Sequence, residues 1–178
     1  MKFIEGGVCA AQGFTASGIH CGIRKNRDKR DLALIVSQKR AAAAAVYTQN
    51  LVKGAPLMVT KANIADGCAS AILCNSGNAN TCNADGEEVA QKMCALAADA
   101  LGIPAKDVVV ASTGVIGQRL DISPIAAGME ALVSGLSTDV LPAAEAILTT
   151  DTKVKSVAVE FSLGGKRRIW AASPRARA

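Results

Sequence analysis

The segment STGVIG, residues 112–117, carries residue types that an oxyanion site needs. Thr113 supplies a hydroxyl donor, and Gly114 has no side chain, so its backbone N–H can approach a ligand closely. Such donors stabilise the charge that develops during acyl transfer, and each is typically worth about 10²–10³ in rate. We therefore take Thr113 and Gly114 as candidate catalytic residues. A plain turn after a strand would have the same composition, so the motif alone leaves both interpretations open.

Two further loops are rich in polar side chains. The segment NSGNAN, residues 75–80, contains Asn75 and Asn78, whose amides could bind the amide or carboxylate of a substrate. Asn and Ser also cap backbone groups, so an elaborate structural turn is the alternative. The segment ILTTDTK, residues 147–153, is a third hydroxyl-rich turn, and a simple helix end explains it equally well.

The sequence lacks the residue sets that several other kinds of reaction require. It contains no Ser–His–Asp set, Walker loop, GxGxxG before a helix or paired carboxylates. The six cysteines form no CxxC pair and His20 has no partner histidine, so we expect no metal site. Cys21, next to His20, leaves a thiol nucleophile open. Adjacent residues on a strand point to opposite faces, however, which is poor geometry for a Cys–His couple.

The composition indicates one packed domain of small side chains. Half of the 178 residues are hydrophobic and 3% are aromatic, which favours an α/β protein. The net charge is +5, but five basic residues lie among the last thirteen and the rest is neutral. With few aromatic side chains for base stacking, we expect no nucleic-acid partner. Short apolar runs and the absence of a signal peptide predict a cytoplasmic protein with no membrane partner.

Strands are predicted to alternate with helices, which indicates an α/β architecture. The Ala-rich stretch 40–50 is ambiguous, and we assign it to a strand whose small side chains let another backbone pack close. The other strands are expected where apolar runs lie between breakers: 31–37, 70–74, 107–112 and 154–166, the last turning at Gly164–Gly165.

Three helices are predicted between these strands. The clearest is capped by Asp85 and ends at Gly102. A second begins with Ser123 as its cap and the following proline in the first position. A third covers the Pro-interrupted segment 138–149. The apolar face of the first helix is expected to comprise Val89, Met93, Leu96, Ala97, Ala100 and Leu101.

Five segments occur in the order and spacing of one protein family: KRDLALIVS, AAAVYTQNLVKGAPL, AILCNSGNAN, DVVVASTGVIGQRL and EAILTTDT. From about Gly13 to Lys166 the chain resembles the N-terminal part of the ornithine acetyltransferase family of arginine biosynthesis, also called glutamate N-acetyltransferase. The resemblance implies an α/β fold of two mixed β-sheets sandwiched between helical layers, similar to the N-terminal-nucleophile hydrolases.

The resemblance also implies a cytoplasmic precursor that cleaves itself before a threonine. That threonine becomes the N-terminal nucleophile of a β chain, and its own amine serves as base. The acetyl group passes from N-acetylornithine to the threonine and then to glutamate, and the α and β chains assemble as α2β2. Some members also use acetyl-CoA as the donor, and no further cofactor is expected. A related self-processing peptidase and a non-catalytic module that binds small ligands are the alternatives.

Carried over to the matching positions, the resemblance places the oxyanion pair on the Thr113 side chain and the Gly114 backbone N–H. A substrate-contacting threonine falls in TTDT, on Thr150, with Thr149 and Thr152 as alternatives. The NSGNAN loop, with Asn75 and Asn78, matches the segment that lies beside the active site of the family.

The end of the chain departs from the family pattern. There the last hairpin continues as Gly-Gly-hydrophobic-Ala-Lys-Gly-Ser-Gly, whose Lys contacts substrate, and the cleavage-site Thr follows. With suitable synonymous codons, WAASPRARA read from its third base gives Gly-Gly-Ile-Ala-Lys-Gly-Ser-Gly. We interpret 1–166 as the α-chain region and 167–178 as an aberrant basic tail out of frame, with a genuine terminus as the alternative. We then expect a truncated, inactive chain without the nucleophile, whose last strand has lost its partner.

Overall fold

Short apolar runs and Ala-rich stretches fold into strands and helices over residues 1–173, which this computed structural model describes. The strands are β1 Lys2–Ile4, β2 Phe14–Ile19, β3 Leu32–Ala42, β4 Cys68–Asn75, β5 Val108–Ser112, β6 Val157–Leu163 and β7 Lys166–Ala172. The helices are α1 Ala55–Asn63, α2 Gly86–Leu101, α3 Ser123–Ser134 and α4 Leu141–Ala146. The predicted α/β class with two sheets is confirmed.

A four-stranded mixed sheet in the order β2-β3-β4-β5 forms the centre of the fold. Its pairs are antiparallel except for β4 and β5, which run parallel with Asn75 opposite Ser112. Parallel neighbours end at the same edge of a sheet. The NSGNAN and STGVIG loops, which follow these two strands, therefore begin side by side.

Large apolar side chains fill the space between this sheet and helices α1, α2 and α3. Alternation along β4 points Leu73 towards these helices, and the side chain is completely buried. Each such side chain stabilises the fold by about 1.5–3 kcal/mol relative to exposure. The most deeply buried large side chains of this layer are Leu32, Leu34, Leu73, Met93, Val108, Ile125 and Leu132.

The opposite face of the sheet packs against α4 through small residues. Ala16 and Ala33 of the sheet contact Ala143 and Ala146 of the helix. At Gly18 the approach is closer still, because a Cβ built there would lie 2.0 Å from the carbonyl oxygen of Pro142. Close backbone packing, which the sequence suggested for 40–50, thus occurs here instead.

The strand predicted over 40–50 is wrong beyond Ala42, where β3 ends. The register of β3 against β4 shifts between Val36 and Ala41, and after Ala43 donates to the Gly67 carbonyl (2.7 Å) the chain leaves the sheet. Residues 43–50 have neither helix nor strand. An alanine run has no large side chain that burial against a second layer could stabilise, so it cannot hold the strand in the sheet.

The second sheet is antiparallel, in the order β1-β6-β7. Gly164 and Gly165, with φ of 60° and 72°, form the turn between β6 and β7, as a two-residue hairpin with both angles positive requires. The expectation that the strand before this turn loses its partner is wrong. Residues 166–172 pair with β6 in unbroken register from Leu163↔Lys166 to Val157↔Ala172. The 3-10 helix Gly7–Ala10 contacts both sheets.

The hydrogen bonds at the N-terminal ends of α2 and α3 differ from those predicted. Asp85 precedes α2, but its side chain does not cap the helix, because its carboxylate pairs with Arg119 (2.5 Å). Ser123 is the first residue of α3 rather than its cap, and its N–H donates to the Asp121 carboxylate (2.9 Å). Arg119 and Asp121 both lie in the loop between β5 and α3, and the sequence prediction did not include their contacts with Asp85 and Ser123.

The apolar face of α2 is also wider than predicted. Val89, Met93 and Ala97 are buried as expected, whereas Ala100 is exposed. Ala90, Cys94 and Ala98 are buried as well, because α1 and α3 both pack against α2. Gly102 ends the helix in the left-handed conformation, as predicted. Among the described helices, none is long and apolar enough to cross a bilayer.

Replacing Leu73 by Ala should destabilise the fold by about 3–4 kcal/mol, because a completely buried leucine leaves a cavity between the sheet and α2. The neighbouring Ile72, 38% exposed on the other face, provides the matched control, and Ile72→Ala should cost about 1 kcal/mol or less. Urea denaturation of the two variants and the wild type measures both values. Equal costs would contradict the assignment of the buried face.

Candidate functional site

The loops that follow β4 and β5 remain in contact beyond the sheet. Thr113 N–H donates to the Asn75 carbonyl (3.0 Å), which continues the parallel ladder by one step. Ala79 N–H then donates to the Val115 carbonyl (2.9 Å). The two loops thus form a short second ladder, and the Thr113–Gly114 segment is fixed between its ends.

Gly114 contacts the backbone of the neighbouring loop directly. Its φ is +134°, and a Cβ built there would lie 2.5 Å from the carbonyl carbon and oxygen of Gly77. No side chain fits at that separation, and an L residue strongly disfavours that angle. Glycine at 114 is therefore required by the approach of two backbones, in addition to any role of its N–H.

Thr113, Gly114 and Thr150 border one cavity of about 550 Å³. Thr150 reaches it from the segment after α4, and the cavity as a whole is lined by four separate parts of the chain. The structure thus brings together the predicted oxyanion pair and the predicted substrate threonine, with Thr149 beside them. The residues that line this cavity, hereafter the oxyanion cavity, are Arg24, Ser76, Gly77, Thr113, Gly114, Val115, Ile116, Thr149 and Thr150.

Thr152 lies elsewhere, in a charged basin of about 730 Å³. Arg24 and Thr150 border both this basin and the oxyanion cavity, so the two are neighbours. Arg30 and Glu145 at its rim form an ion pair (3.0 Å). The other residues that line the basin are His20, Arg27, Asp28, Lys29, Leu148 and Asp151.

A third cavity of about 360 Å³ also borders Thr113 and Gly114, and its walls are mainly apolar. Tyr47, from the irregular stretch after β3, contributes to it, and its buried hydroxyl has no hydrogen-bond partner among the described residues. The Thr113–Gly114 segment therefore borders two cavities, the oxyanion cavity and this third one.

Asn75 and Asn78 are used inside the loop. The Asn75 amide donates to the Ser112 hydroxyl (2.7 Å), and its oxygen accepts the N–H groups of Gly77 and Asn78 (3.2 Å each). The Asn78 amide donates to the Gln118 carbonyl (2.9 Å). Both residues are buried, and neither lines the oxyanion cavity. Their geometry matches the structural-turn alternative, and the predicted contact with substrate has no support from it.

Arg24 is the residue of this site that sequence analysis missed. Its Nε donates to the Ser76 carbonyl (2.7 Å), and its Nη2 donates to the carbonyls of Ser76 and Leu148. The side chain thus joins the NSGNAN loop to the segment that carries Thr150. In the sequence it is one of five basic residues within 24–30, and nothing in their types or spacing distinguishes it.

A buried aspartate holds the turn that carries Arg24. The Asp31 carboxylate accepts the backbone N–H groups of Cys21 (2.7 Å), Gly22 (3.2 Å) and Arg24 (2.8 Å). A carboxylate that accepts several backbone N–H groups forms strong, charge-assisted hydrogen bonds, and these fix the conformation of irregular backbone. His20 Nδ1 lies 3.3 Å from the same carboxylate.

Cys21 has no features of an activated nucleophile. Burial, reinforced by the charge of Asp31, raises the pKa of its thiol to about 12. The His20 ring is engaged with the Lys29 carbonyl at 2.9 Å. The Cys–His couple that the sequence left open thus has no support in this geometry. Within residues 1–173, no group of three or more metal-binding side chains is placed to hold an ion.

The model of the ArgJ family matches residues 15–173 of this chain. The chain is 49% identical to the arginine biosynthesis bifunctional protein ArgJ of Gloeobacter violaceus over 93% of its own length and 41% of that protein's. It is 42% identical to the glutamate N-acetyltransferase of Methanothermobacter thermautotrophicus, over 96% of its own length and 42% of that protein's. The chain therefore spans less than half of the length of these curated relatives.

Two solved structures are similar to the fold. The ArgJ protein of Bacillus halodurans superposes with a TM-score of 0.92 at 37% identity, covering 99% of this chain and 93% of that one. The ornithine acetyltransferase of Mycobacterium tuberculosis, complexed with ornithine, gives a TM-score of 0.84 at 35% identity, covering 88% and 86%.

Gly114→Ala should destabilise the protein by about 3 kcal/mol or more, because a Cβ meets the Gly77 backbone at an angle that disfavours an L residue. Gly117, also at positive φ but with open space around its Cβ position, is the control, and Gly117→Ala should cost about 1–2 kcal/mol. Urea denaturation compares them. A Gly114→Ala variant no less stable than the control would show that the loops do not approach as described.

The half-buried Cys21 thiol and the buried Cys94 thiol should resist labelling at pH 8. With a pKa of about 12, Cys21 is ionised to about 10⁻⁴ at this pH, and Cys94, raised by burial to about 11, to about 10⁻³. The exposed Cys82 should react first with a disulfide reagent, and the other two only after urea is added. Peptide mapping by mass spectrometry identifies the sites. Labelling of Cys21 as fast as Cys82 in the folded protein would contradict its burial.

Proposed function

The chain belongs to the ArgJ family, and we propose that it supplies the oxyanion hole and part of the substrate pocket of an enzyme that transfers acetyl from N-acetylornithine to glutamate. The observation that carries this proposal is the meeting of Thr113, Gly114 and Thr150 at one cavity. The names of the relatives, ArgJ and glutamate N-acetyltransferase, agree with acetyl transfer in arginine biosynthesis.

In the proposed reaction, the Thr113 hydroxyl and the Gly114 N–H donate to the carbonyl oxygen of the acetyl group. A nucleophilic threonine outside residues 1–178 attacks the carbonyl carbon, and the oxygen becomes an oxyanion. The two donors stabilise that charge. The amine of the threonine takes the hydroxyl proton during the attack and passes it to the ornithine nitrogen when the intermediate collapses and the amide bond breaks. Because the donors are fixed by the loop ladder before substrate arrives, no reorganisation is needed in the transition state.

The second half of the reaction uses the same donors. The amine of glutamate attacks the acetyl-threonine ester, a second oxyanion forms at the same position, and the threonine leaves with a proton. Thr150 borders the same cavity, and on this proposal its hydroxyl donates to the bound amino acid, whereas Thr152 would act only from the neighbouring basin. Acetyl-CoA would serve as an additional donor by the same attack on its thioester.

We propose that the nucleophile belongs to a β chain of the same precursor, in a cytoplasmic α2β2 assembly. The curated relatives are more than twice as long as the matched region, while the matched chains of the solved structures are of similar length to this one. That difference supports division of the precursor. On this proposal residues 1–178 alone have no acetyltransferase activity.

The out-of-frame interpretation of residues 167–178 remains a prediction. The family match extends to residue 173, residues 166–172 form β7, and 174–178 lie outside the described residues. Sequencing the source DNA across the codons for 166–178 tests it. A one-base difference that restores Gly-Gly-Ile-Ala-Lys-Gly-Ser-Gly would support it, and an unchanged frame would reject it.

Supplying the chain with the β-chain region of the Gloeobacter violaceus relative should restore acetyl transfer from N-acetylornithine to glutamate. Thr113→Val should then lower kcat about 10²–10³-fold with a small change in KM, because the lost hydroxyl acts mainly in the transition state. Thr138→Val, at an exposed position outside the three cavities, is the control and should leave kcat unchanged.

The same preparation separates the alternatives. Hydrolysis of aminoacyl amides without acetyl transfer would indicate the peptidase, and binding of N-acetylornithine without either reaction would indicate the non-catalytic module. Full activity of Thr113→Val would contradict the assignment of the oxyanion donor.

A further inference from the structure

The oxyanion cavity is assembled from two halves that no strand pairing joins. One half, Thr113 and Gly114, rests on the loop that contains Ser76 and Gly77. The other, Thr149 and Thr150, follows α4. We propose that Arg24 is the positioning residue that sets these two halves at a fixed separation, and so aligns the oxyanion donors with the substrate threonine. Its importance for catalysis rests on the proposed function.

The contacts of Arg24 reach both halves with one rigid group. Nε and Nη2 share the Ser76 carbonyl, and Nη2 also donates to the Leu148 carbonyl, one residue before Thr149. A planar guanidinium fixes the angle between its acceptors, which a flexible ammonium cannot do. The geometry of the guanidinium group therefore sets the separation of the Ser76 and Leu148 carbonyls.

The Ser76 end of this link continues directly to the oxyanion donor. Gly77 follows Ser76, and its carbonyl is the group that a Cβ at Gly114 would contact at 2.5 Å. A shift of the 76–77 peptide therefore displaces the Gly114 backbone. The Ser76 hydroxyl also donates to the Ala146 carbonyl (2.5 Å), which ties the loop to α4 but not to the segment beyond Leu148.

Arg24 is itself held in place by the turn that carries it. The backbone N–H of Arg24 donates to the buried Asp31 carboxylate (2.8 Å). The backbone carbonyl of Asp31 in turn accepts the Ser76 N–H (3.0 Å). The hydrogen bonds of the Arg24 guanidinium go to the Ser76 and Leu148 carbonyls. Burial lowers the pKa of the group, as removal from water requires.

The test uses the ligand-free 178-residue chain and its backbone amide resonances. Arg24→Ala and Arg24→Lys should both move the amide signals of Gly77, Gly114 and Thr150 beyond the linewidth. Lys25→Ala, an exposed neighbouring cation that lines none of the three cavities, is the matched control and should leave them in place. Methylguanidinium at millimolar concentration should return the signals of Arg24→Ala in a saturable way and leave wild type unaffected.

Unmoved signals of Gly77 and Gly114 in Arg24→Lys would overturn the proposal, and so would failure of methylguanidinium to restore them in a folded Arg24→Ala. If Arg24→Ala does not fold, Arg24→Lys decides alone. In the enzyme assembled with the β-chain region, Arg24→Lys should lower kcat about 10²-fold, the cost of misplacing a catalytic group by about 1 Å. Because the amide readout needs no substrate, moved signals without any acetyl transfer would reject the proposed function and retain this inference.

Discussion

The backbone contact between Gly77 and Gly114 is the constraint on which the rest of the site depends. It exists because β4 and β5 run parallel and end together, so that their two loops leave the sheet at the same edge. An antiparallel pair would have placed these loops at opposite edges. The contact in turn requires glycine at 114, since any side chain there would occupy the Gly77 peptide. The role proposed for Thr113 and Gly114 therefore depends on β5 running parallel to β4.

Beyond the sheet, the loops are held by polar and charged groups that bind backbone atoms. Asp31 accepts three N–H groups, Asn75 accepts two, and Arg24 donates to two carbonyls. Loops carry backbone groups that no ladder satisfies, and a buried one without a partner costs about 1–3 kcal/mol. The side chains that satisfy these groups also fix where the loops lie. In this molecule, the hydrogen bonds that satisfy the backbone groups of these loops are also the contacts that position the site.

Sequence patterns were informative where one local rule decides the outcome. Apolar runs predicted β3, β4, β5 and β6, and Gly164–Gly165 predicted the hairpin, because burial and positive φ are properties of the residues themselves. Thr113 and Gly114 could also be identified as candidate oxyanion donors, because a hydroxyl and an unhindered N–H are properties of the residues themselves.

Outcomes that depend on distant partners were not predictable. The cap of α3 was assigned to Ser123 from its residue type, whereas in the fold Ser123 is the first helical residue and donates its N–H to the Asp121 carboxylate. Arg24 could not be separated from its basic neighbours because its role is defined by two carbonyls, 52 and 124 residues away. The strand formed by 166–172 was missed because residues 167–178 were interpreted as an aberrant tail, whereas in the fold this segment pairs with β6.

The pairing of β1 with β6 sets an order of events for folding. Phe3 lies opposite Val159, so this ladder cannot close until a ribosome has made almost the whole described chain. Closing a loop of that length costs about 4–5 kcal/mol in chain entropy, whereas β2, β3, β4 and β5 are joined by much shorter connections. The four-stranded sheet should therefore form first, and the N-terminal strand should wait unpaired until the last hairpin arrives. During that interval the hydrogen-bonding edge of residues 2–4 is open to pairing with other nascent chains.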